Sequence, residues 1–271
     1  MTEKSSDTFI SGYFQEKEIL RALEEDLGFD FSTSEAIPSR DQDDLNFYVE
    51  CAAQEIVRVY GQSQGNISPE QQEWLLDLAS APIFLTQEDL DKVYAFNEAL
   101  KDRDPESCRQ KISQLRQSSS FPDSKAAAAM WKPIEHEDAP RLIFFNHTSL
   151  PEDSALQPRF YWETATEELL HALDRSMGIA DTYPPEWQDK WEVNRSQLHE
   201  AGAKTYAHAV LPAHIQEAHE ITEGDAIAGW HQFETKYGAD NLKRFFFQGE
   251  RTVDYEALLE DAKALWGDRK F

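Results

Sequence analysis

Residues 166–174 read Thr-Glu-Glu-Leu-Leu-His-Ala-Leu-Asp, and their polar and apolar side chains separate at helical spacing. Residues four apart lie on the same face of an α-helix, so Glu167 and His171 are stacked one turn apart. Glu163 and Asp174 extend the same polar stripe. The opposite face is apolar and consists of Ala165, Leu169, Ala172 and Leu173. The sequence therefore predicts an amphipathic helix with a row of ionisable groups along one side.

The motif Glu-Glu-x-x-His in this helix differs by one residue from His-Glu-x-x-His, the zinc-binding motif of many metallopeptidases. Zinc accepts carboxylate oxygen as well as imidazole nitrogen, so Glu167 and His171 could hold one ion between them. Glu168 would then stand next to a metal-bound water as its general base. Asp174 could orient His171 through a hydrogen bond. The motif predicts a zinc site in which Glu167 takes the place of a histidine.

Two segments beyond the motif carry a resemblance to a known family. Residues 172–178 resemble the tail that follows this motif in many zincins, and residues 222–230 resemble the glutamate helix of lethal factor-type proteases. Together they make residues 140–250 similar to the catalytic domain of the anthrax lethal factor-like zincin metallopeptidases. The resemblance implies that zinc is bound by His171 and Glu223, with Glu167 in the position of the first ligand. It also implies that Glu168 is the general base of a hydrolase that cleaves a protein or peptide.

A second pattern offers another way to build a metal site. Residues 219–223 read His-Glu-Ile-Thr-Glu, which places His219 and Glu223 one helical turn apart. His219 could therefore bind a metal with Glu223, facing His171. The alternative for both patterns is an acidic, solvent-exposed helix surface that carries a few histidines.

The charge of the chain favours a different class of function. The 271 residues include 26 Lys and Arg against 51 Asp and Glu, giving a formal net charge of −25. Such a charge argues against binding to nucleic acid or to an anionic membrane, because both repel it. It suits a cation site, a basic partner or mimicry of a polyanion, and the simplest alternative is that it serves solubility alone. The alternative to a peptidase is therefore a non-catalytic acidic helical interaction protein, such as an inhibitor, a pseudoenzyme or a polyanion mimic.

The organisation of the chain predicts an α+β protein that is mainly helical with a small β-sheet. Helical spacing of apolar residues covers 13–27 and 44–60, and Ser68 opens a helix with Pro69 and a capping box closed by Gln71. A break at 118–124 divides a helical N-terminal domain, 1–120, from a zincin-like domain, 126–271. The further predicted segments are helices at 86–101, 104–117, 186–201, 204–219, 223–237, 240–247 and 255–266 and one strand at 141–146.

The N-terminus gives a prediction about localisation. Residues 1–8 are polar and lack the apolar core of a Sec-type signal peptide, and no stretch reaches the roughly 18 apolar residues that span a bilayer. We therefore expect a cytoplasmic protein, or a secreted effector exported by a route that needs no signal peptide.

Overall fold

The computed structural model describes residues 39–80, 83–85, 128–131, 142–146, 157–180 and 182–267. Its helices are α1 (Ser39–Ile56), continued by a π-helix at Val57–Ser63, α2 (Pro69–Ala79), α3 (Gln157–Leu173), α4 (Met177–Ala180), α5 (Pro185–Val210), α6 (Ala213–Tyr237), α7 (Ala239–Gln248) and α8 (Tyr255–Trp266). The helices predicted at 13–27, 86–101 and 104–117, and the predicted domain break at 118–124, lie outside these residues.

The predicted α+β fold class is wrong, because the body that contains the motif is all-α. This compact unit consists of Phe47–Ser80 and Ser154–Phe271, and we call it the helical body. Its described residues form helices and connecting turns without a strand. The motif helix α3 packs against α5 and α6. Helices therefore bury the apolar face of α3.

Three short strands are described in the other compact unit of the chain. They are β1 (Ile83–Leu85), β2 (Ala128–Trp131) and β3 (Leu142–Asn146), in the order β1-β3-β2. β3 pairs in parallel with β1 and antiparallel with β2. None of the residues in the candidate site comes from these strands.

The N-terminus of α2 is fixed by the capping box that the sequence predicts. The Ser68 side chain accepts the backbone N–H of Gln71, and the Gln71 side chain accepts the backbone N–H of Ser68. Pro69 occupies the first helical turn, where its missing N–H needs no partner. The Gln71 amide also donates to the Phe247 carbonyl at 2.9 Å, so the same residue that caps α2 joins it to α7.

An aromatic cluster forms the centre of the helical body. Tyr206 packs edge-on against Trp230 and Phe246, with ring centroids 5.6 and 5.0 Å away. Tyr60 lies 4.8 Å from the Phe247 ring and donates its hydroxyl to the Tyr206 carbonyl at 2.8 Å. The segment around Tyr60 therefore shares one core with the C-terminal helices, although it is distant from them in sequence.

Alanine substitutions at two glycines of α6 should have opposite effects on the free energy of unfolding. A Cβ on Gly229 would lie 2.4 Å from Trp266 Cζ2 and 2.8 Å from Leu265 Cδ2, whereas a Cβ on Gly224 would meet nothing within 4 Å. We expect Gly229→Ala to lower the free energy of unfolding by about 1–3 kcal/mol through overpacking. Gly224→Ala should raise it by about 0.5–1 kcal/mol, because alanine favours the helix. Urea unfolding measures both, and equal effects would contradict the packing of α6 on α8.

The long helices α5 and α6 have different limits from those predicted. The sequence predicts helices at 186–201, 204–219 and 223–237, but α5 runs through Gly202 and ends at Val210, and Pro212 separates it from α6. Consequently His219 and Glu223 lie within a single uninterrupted helix. In the described part of the chain, no helix is long and apolar enough to cross a bilayer.

Candidate functional site

Ionisable side chains from three helices meet in the helical body. We call them the polar ladder; its members are Glu167 and His171 of α3, Glu200, Lys204 and His208 of α5, and His219 and Glu223 of α6. Each member lies four residues from the next on its own helix, so all point to one face. Glu167 and His171 of α3 meet Lys204 and Glu200, which follow in the opposite order along α5. The contacts of α5 with α6 are likewise in opposite order, so neighbouring helices are antiparallel. Two members of the predicted ionisable row, Glu167 and His171, form one edge of this ladder.

The centre of the polar ladder is a lysine that the sequence interpretation missed. The Lys204 ammonium donates to Glu223 Oε2 at 2.7 Å and lies 3.9 Å from Glu167 Oε2. Burial disfavours the charged lysine, but Glu167, Glu223 and Glu200 together raise the pKa of Lys204, so its amine stays protonated. An ammonium therefore lies between the two carboxylates that were predicted to bind zinc. The spacing of Lys204 four residues after Glu200 was the one signal available in the sequence.

One of the two ring nitrogens of His219 forms a hydrogen bond within the polar ladder. Its Nε2 lies 2.8 Å from Glu167 Oε1, and since a carboxylate only accepts, Nε2 is the donor. The second predicted metal pair is thus separated, because His219 pairs with Glu167 and Glu223 pairs with Lys204. The His219 ring also stacks on the His208 ring at 5.6 Å, and burial followed by the proximity of His219 lowers the pKa of His208.

His171 and Glu200 form the other end of the ladder. His171 Nε2 lies 3.4 Å from Glu200 Oε1. Burial works against protonation of the ring, but Glu200, Glu168 and Asp174 outweigh it and raise the pKa of His171 to about 9. At neutral pH this pKa favours the imidazolium form, which pairs with the Glu200 carboxylate.

Glu168, the predicted general base, lies beside this pair on α3. Burial raises the pKa of its carboxyl to about 7, against the attraction of the His171 cation. That value lies near the operating pH of a general base. Buried ion-pair clusters produce similar shifts, so the pKa alone does not assign a catalytic role.

The Glu168 carboxyl gives a prediction about pH. Because its pKa is higher in the folded protein than the usual value of about 4.3, its ionisation destabilises the fold as the pH rises from about 4 to 7. Linkage gives about 3 kcal/mol, and partial exposure of the side chain reduces this to about 1–2 kcal/mol. Glu168→Gln should therefore be more stable than wild type at pH 8 and equally stable at pH 4 in urea unfolding. Lower stability of the variant at pH 8 would contradict this burial of Glu168.

Asp174 belongs to a separate buried cluster. Its Oδ1 accepts the Ser176 backbone N–H at 2.9 Å and the Ser176 hydroxyl at 2.5 Å, and its Oδ2 lies 2.5 Å from His199 Nδ1. The Ser176 hydroxyl also lies 3.2 Å from the same His199 nitrogen. A Ser-His-Asp triad would place the serine and the aspartate on opposite ring nitrogens. This cluster is therefore structural, and it gives Asp174 partners other than the predicted His171.

The described residues contain no group of three His, Cys, Asp or Glu side chains arranged to hold a metal ion. Glu167, His171 and Glu223 each have an oppositely charged or hydrogen-bonding partner in the polar ladder. The ladder brings Glu167 and Glu223 to Lys204, His219 pairs with Glu167, and His171 pairs with Glu200. Chemically, the arrangement is a neutralising network of ion pairs.

Comparison with known proteins gives no relative. No family model, no curated protein and no solved structure matches this chain. The resemblance to the lethal factor-like metallopeptidases rests on the motif residues, and it stays a prediction.

Proposed function

We propose that this chain is a non-catalytic, acidic helical interaction protein that binds a basic partner, in the manner of an inhibitor or a pseudoenzyme. The observation that carries the proposal is the Lys204 ammonium, 2.7 Å from Glu223 Oε2 and 3.9 Å from Glu167 Oε2. A zinc peptidase needs its ligands on a metal that also holds a reactive water. Because Lys204 pairs with both carboxylates, the polar ladder holds α3, α5 and α6 together.

The charge of the chain defines the kind of partner. The formal net charge of −25 attracts cationic surfaces and speeds their encounter with the protein. The outward side of α6 combines this charge with an apolar contact: Ile221 is 80% exposed, and Glu217 and Glu220 beside it are also exposed. We call these three residues the α6 outer face. A basic amphipathic helix fits it, because its apolar stripe covers Ile221 while its lysines meet the two carboxylates.

The test is a titration of the full chain with a fluorescent amphipathic peptide made of Lys and Leu. The control peptide has Glu in place of Lys. We expect the Lys peptide alone to bind, and to bind at least about tenfold more weakly when NaCl rises from about 50 to 500 mM, because salt screens exposed charges. Failure of the Lys peptide to bind at low salt would reject the proposal.

A matched pair of variants tests the α6 outer face. Glu217→Lys combined with Glu220→Lys should weaken peptide binding at least about tenfold. The control, Glu192→Lys combined with Glu256→Lys, changes the net charge by the same amount on the exposed surfaces of α5 and α8. Equal weakening by both pairs would show that the net charge, and not this face, governs binding.

A zinc peptidase is the second candidate, and the raised pKa of Glu168 is the observation that favours it. Its test is cleavage of a mixture of unstructured peptides with one equivalent of zinc supplied, using Glu168→Gln as the inactive reference. We expect equal, background rates for the two proteins. Zinc-dependent cleavage that Glu168→Gln abolishes would replace the interaction role by the peptidase role.

A further inference from the structure

We infer that a hole in the outer surface of α6, at Gly224, receives a large apolar side chain of a basic partner helix and fixes where that helix crosses α6. Four residues at helical spacing outline this hole, and we call them the α6 hole: Ile221, Gly224, Asp225 and Ala228. The inference rests on the proposed interaction role, because Ile221 also belongs to the α6 outer face. It adds the position and the shape of the contact.

The spacing of the α6 hole is that of a helix–helix contact. Residues at i, i+3, i+4 and i+7 are neighbours on a helix surface, and four such residues form the hole into which a side chain of a packed helix inserts. Ile221 is 80% exposed, Asp225 and Ala228 are exposed, and Gly224 is half-buried. Because helical residues advance by about 100° each, the α6 hole opens on the side of α6 opposite the polar ladder.

Gly224 is a glycine that the packing of the described residues does not require. Glycine destabilises a helix interior relative to alanine. Gly202 and Gly229 have a packing reason, because a Cβ there would lie 2.9 and 2.4 Å from aromatic rings of the core. A Cβ on Gly224 would meet nothing within 4 Å, and Gly224 is not among the glycines with positive φ in the described ranges. The space above Gly224 is therefore available to a side chain from outside the helical body.

The surroundings of the α6 hole define the partner that fits it. Ile221 forms an apolar wall, and Gly224 and Ala228 form a floor on which no side chain extends beyond Cβ. A leucine of the partner fills this space and removes apolar surface of Ile221 from water. Lysines beside that leucine meet the exposed carboxylates of Glu217 and Glu220. A second copy of this chain, with its net charge of −25, would bring carboxylates against carboxylates, so the occupant is a basic helix.

The experiment titrates the fluorescent Lys peptide into wild type and two leucine variants at low salt. Gly224→Leu fills the α6 hole and should weaken binding at least about tenfold, because the partner loses a buried leucine contact. Ala264→Leu is the matched control: it places the same side chain at an exposed position of α8 and should bind like wild type. In urea unfolding, Gly224→Leu should be at least as stable as wild type, since leucine favours a helix and its Cβ meets no neighbour.

A second peptide tests whether the α6 hole receives the leucine itself. In this peptide alanine replaces every leucine, and all lysines stay. It should bind wild type at least about tenfold more weakly than the Lys peptide, because it buries less apolar surface. The difference between the two peptides should shrink for Gly224→Leu, since a filled hole no longer distinguishes leucine from alanine.

Equal or tighter binding of the Lys peptide by Gly224→Leu, or equal weakening by Ala264→Leu, would overturn the α6 hole and leave the interaction role standing. Lower stability of Gly224→Leu than of wild type would overturn it too, because the position would then pack inside the helical body. A wild-type dimer in light scattering that Gly224→Leu abolishes would assign the hole to a second copy of the chain instead. Failure of wild type to bind the Lys peptide would reject the hole together with the interaction role.

Discussion

Asp174→Ala should lower the free energy of unfolding by about 3–5 kcal/mol, the largest loss expected from a single polar side chain among the described residues. Asp174 is 0% exposed and accepts hydrogen bonds from the backbone and hydroxyl of Ser176 and from His199 Nδ1. Without the carboxylate, the buried donors of Ser176 and His199 lose their acceptor, and buried donors without a partner are strongly unfavourable. Urea unfolding at pH 7 measures the loss.

The pH dependence of this loss follows from the direction of the Asp174 pKa. Burial tends to raise it, but the neighbouring His199 and the hydrogen bonds from Ser176 lower it overall. A carboxyl whose pKa is lower in the folded state stabilises the protein above its unfolded pKa of about 3.9, and this contribution disappears as the pH falls through the folded value. The difference between Asp174→Ala and wild type should therefore be largest near neutrality and shrink below about pH 4.

Ser176→Ala is the control for Asp174. It removes one hydroxyl donor and leaves the carboxylate with His199 and the Ser176 backbone position, so we expect a loss of only about 1 kcal/mol. If Asp174→Ala lost no more than Ser176→Ala, the carboxylate would not be the shared acceptor that the geometry requires.

Lys204→Met should give the second largest loss, about 2–3 kcal/mol. The methionine keeps most of the aliphatic chain but removes the cation between Glu223 and Glu167. Breaking a buried ion pair on one side has a typical effect of about 3–5 kcal/mol, and the value here is smaller because the two glutamates remain 24% and 20% exposed. Urea unfolding at pH 7 measures it.

A double-mutant cycle separates the lost charge from the lost packing. Glu223→Gln should recover part of the stability of Lys204→Met, because it removes the carboxylate that has lost its cation. Lys236→Met is the surface comparison: it removes an exposed lysine paired with Asp261, and little change is expected. Additive losses in Lys204→Met and Glu223→Gln would mean that the two side chains do not interact.

Local signals in the sequence predicted several features correctly. The capping box of Ser68 and Gln71 and the helix at 255–266 are both confirmed. A helix cap and an amphipathic repeat involve residues within one or two helical turns. All the interacting residues are therefore close together in the sequence. The placement of Glu167 and His171 on one face of α3 belongs to the same category.

Interactions between distant segments were missed, and the break between α5 and α6 illustrates why. Gly202 reads as a helix end, but a Cβ there would lie 2.9 Å from the rings of Phe246 and Trp230, so the glycine provides room for core side chains inside a continuous helix. Pro212 marks the real break, because a proline has no N–H to continue the helix. No local pattern distinguishes a glycine that ends a helix from one that admits a neighbouring ring.

The sequence by itself determined most of the helical segments of the body and placed Glu167 and His171 one turn apart on one of them, because helical periodicity is local. It did not determine which group each of these side chains meets. Antiparallel packing of α3, α5 and α6 decided that Lys204 lies between Glu167 and Glu223. It also decided that Glu200 pairs with His171 and that His199 pairs with Asp174. Burial makes a counter-charge necessary, and only the tertiary structure chooses between a lysine and a metal as its source.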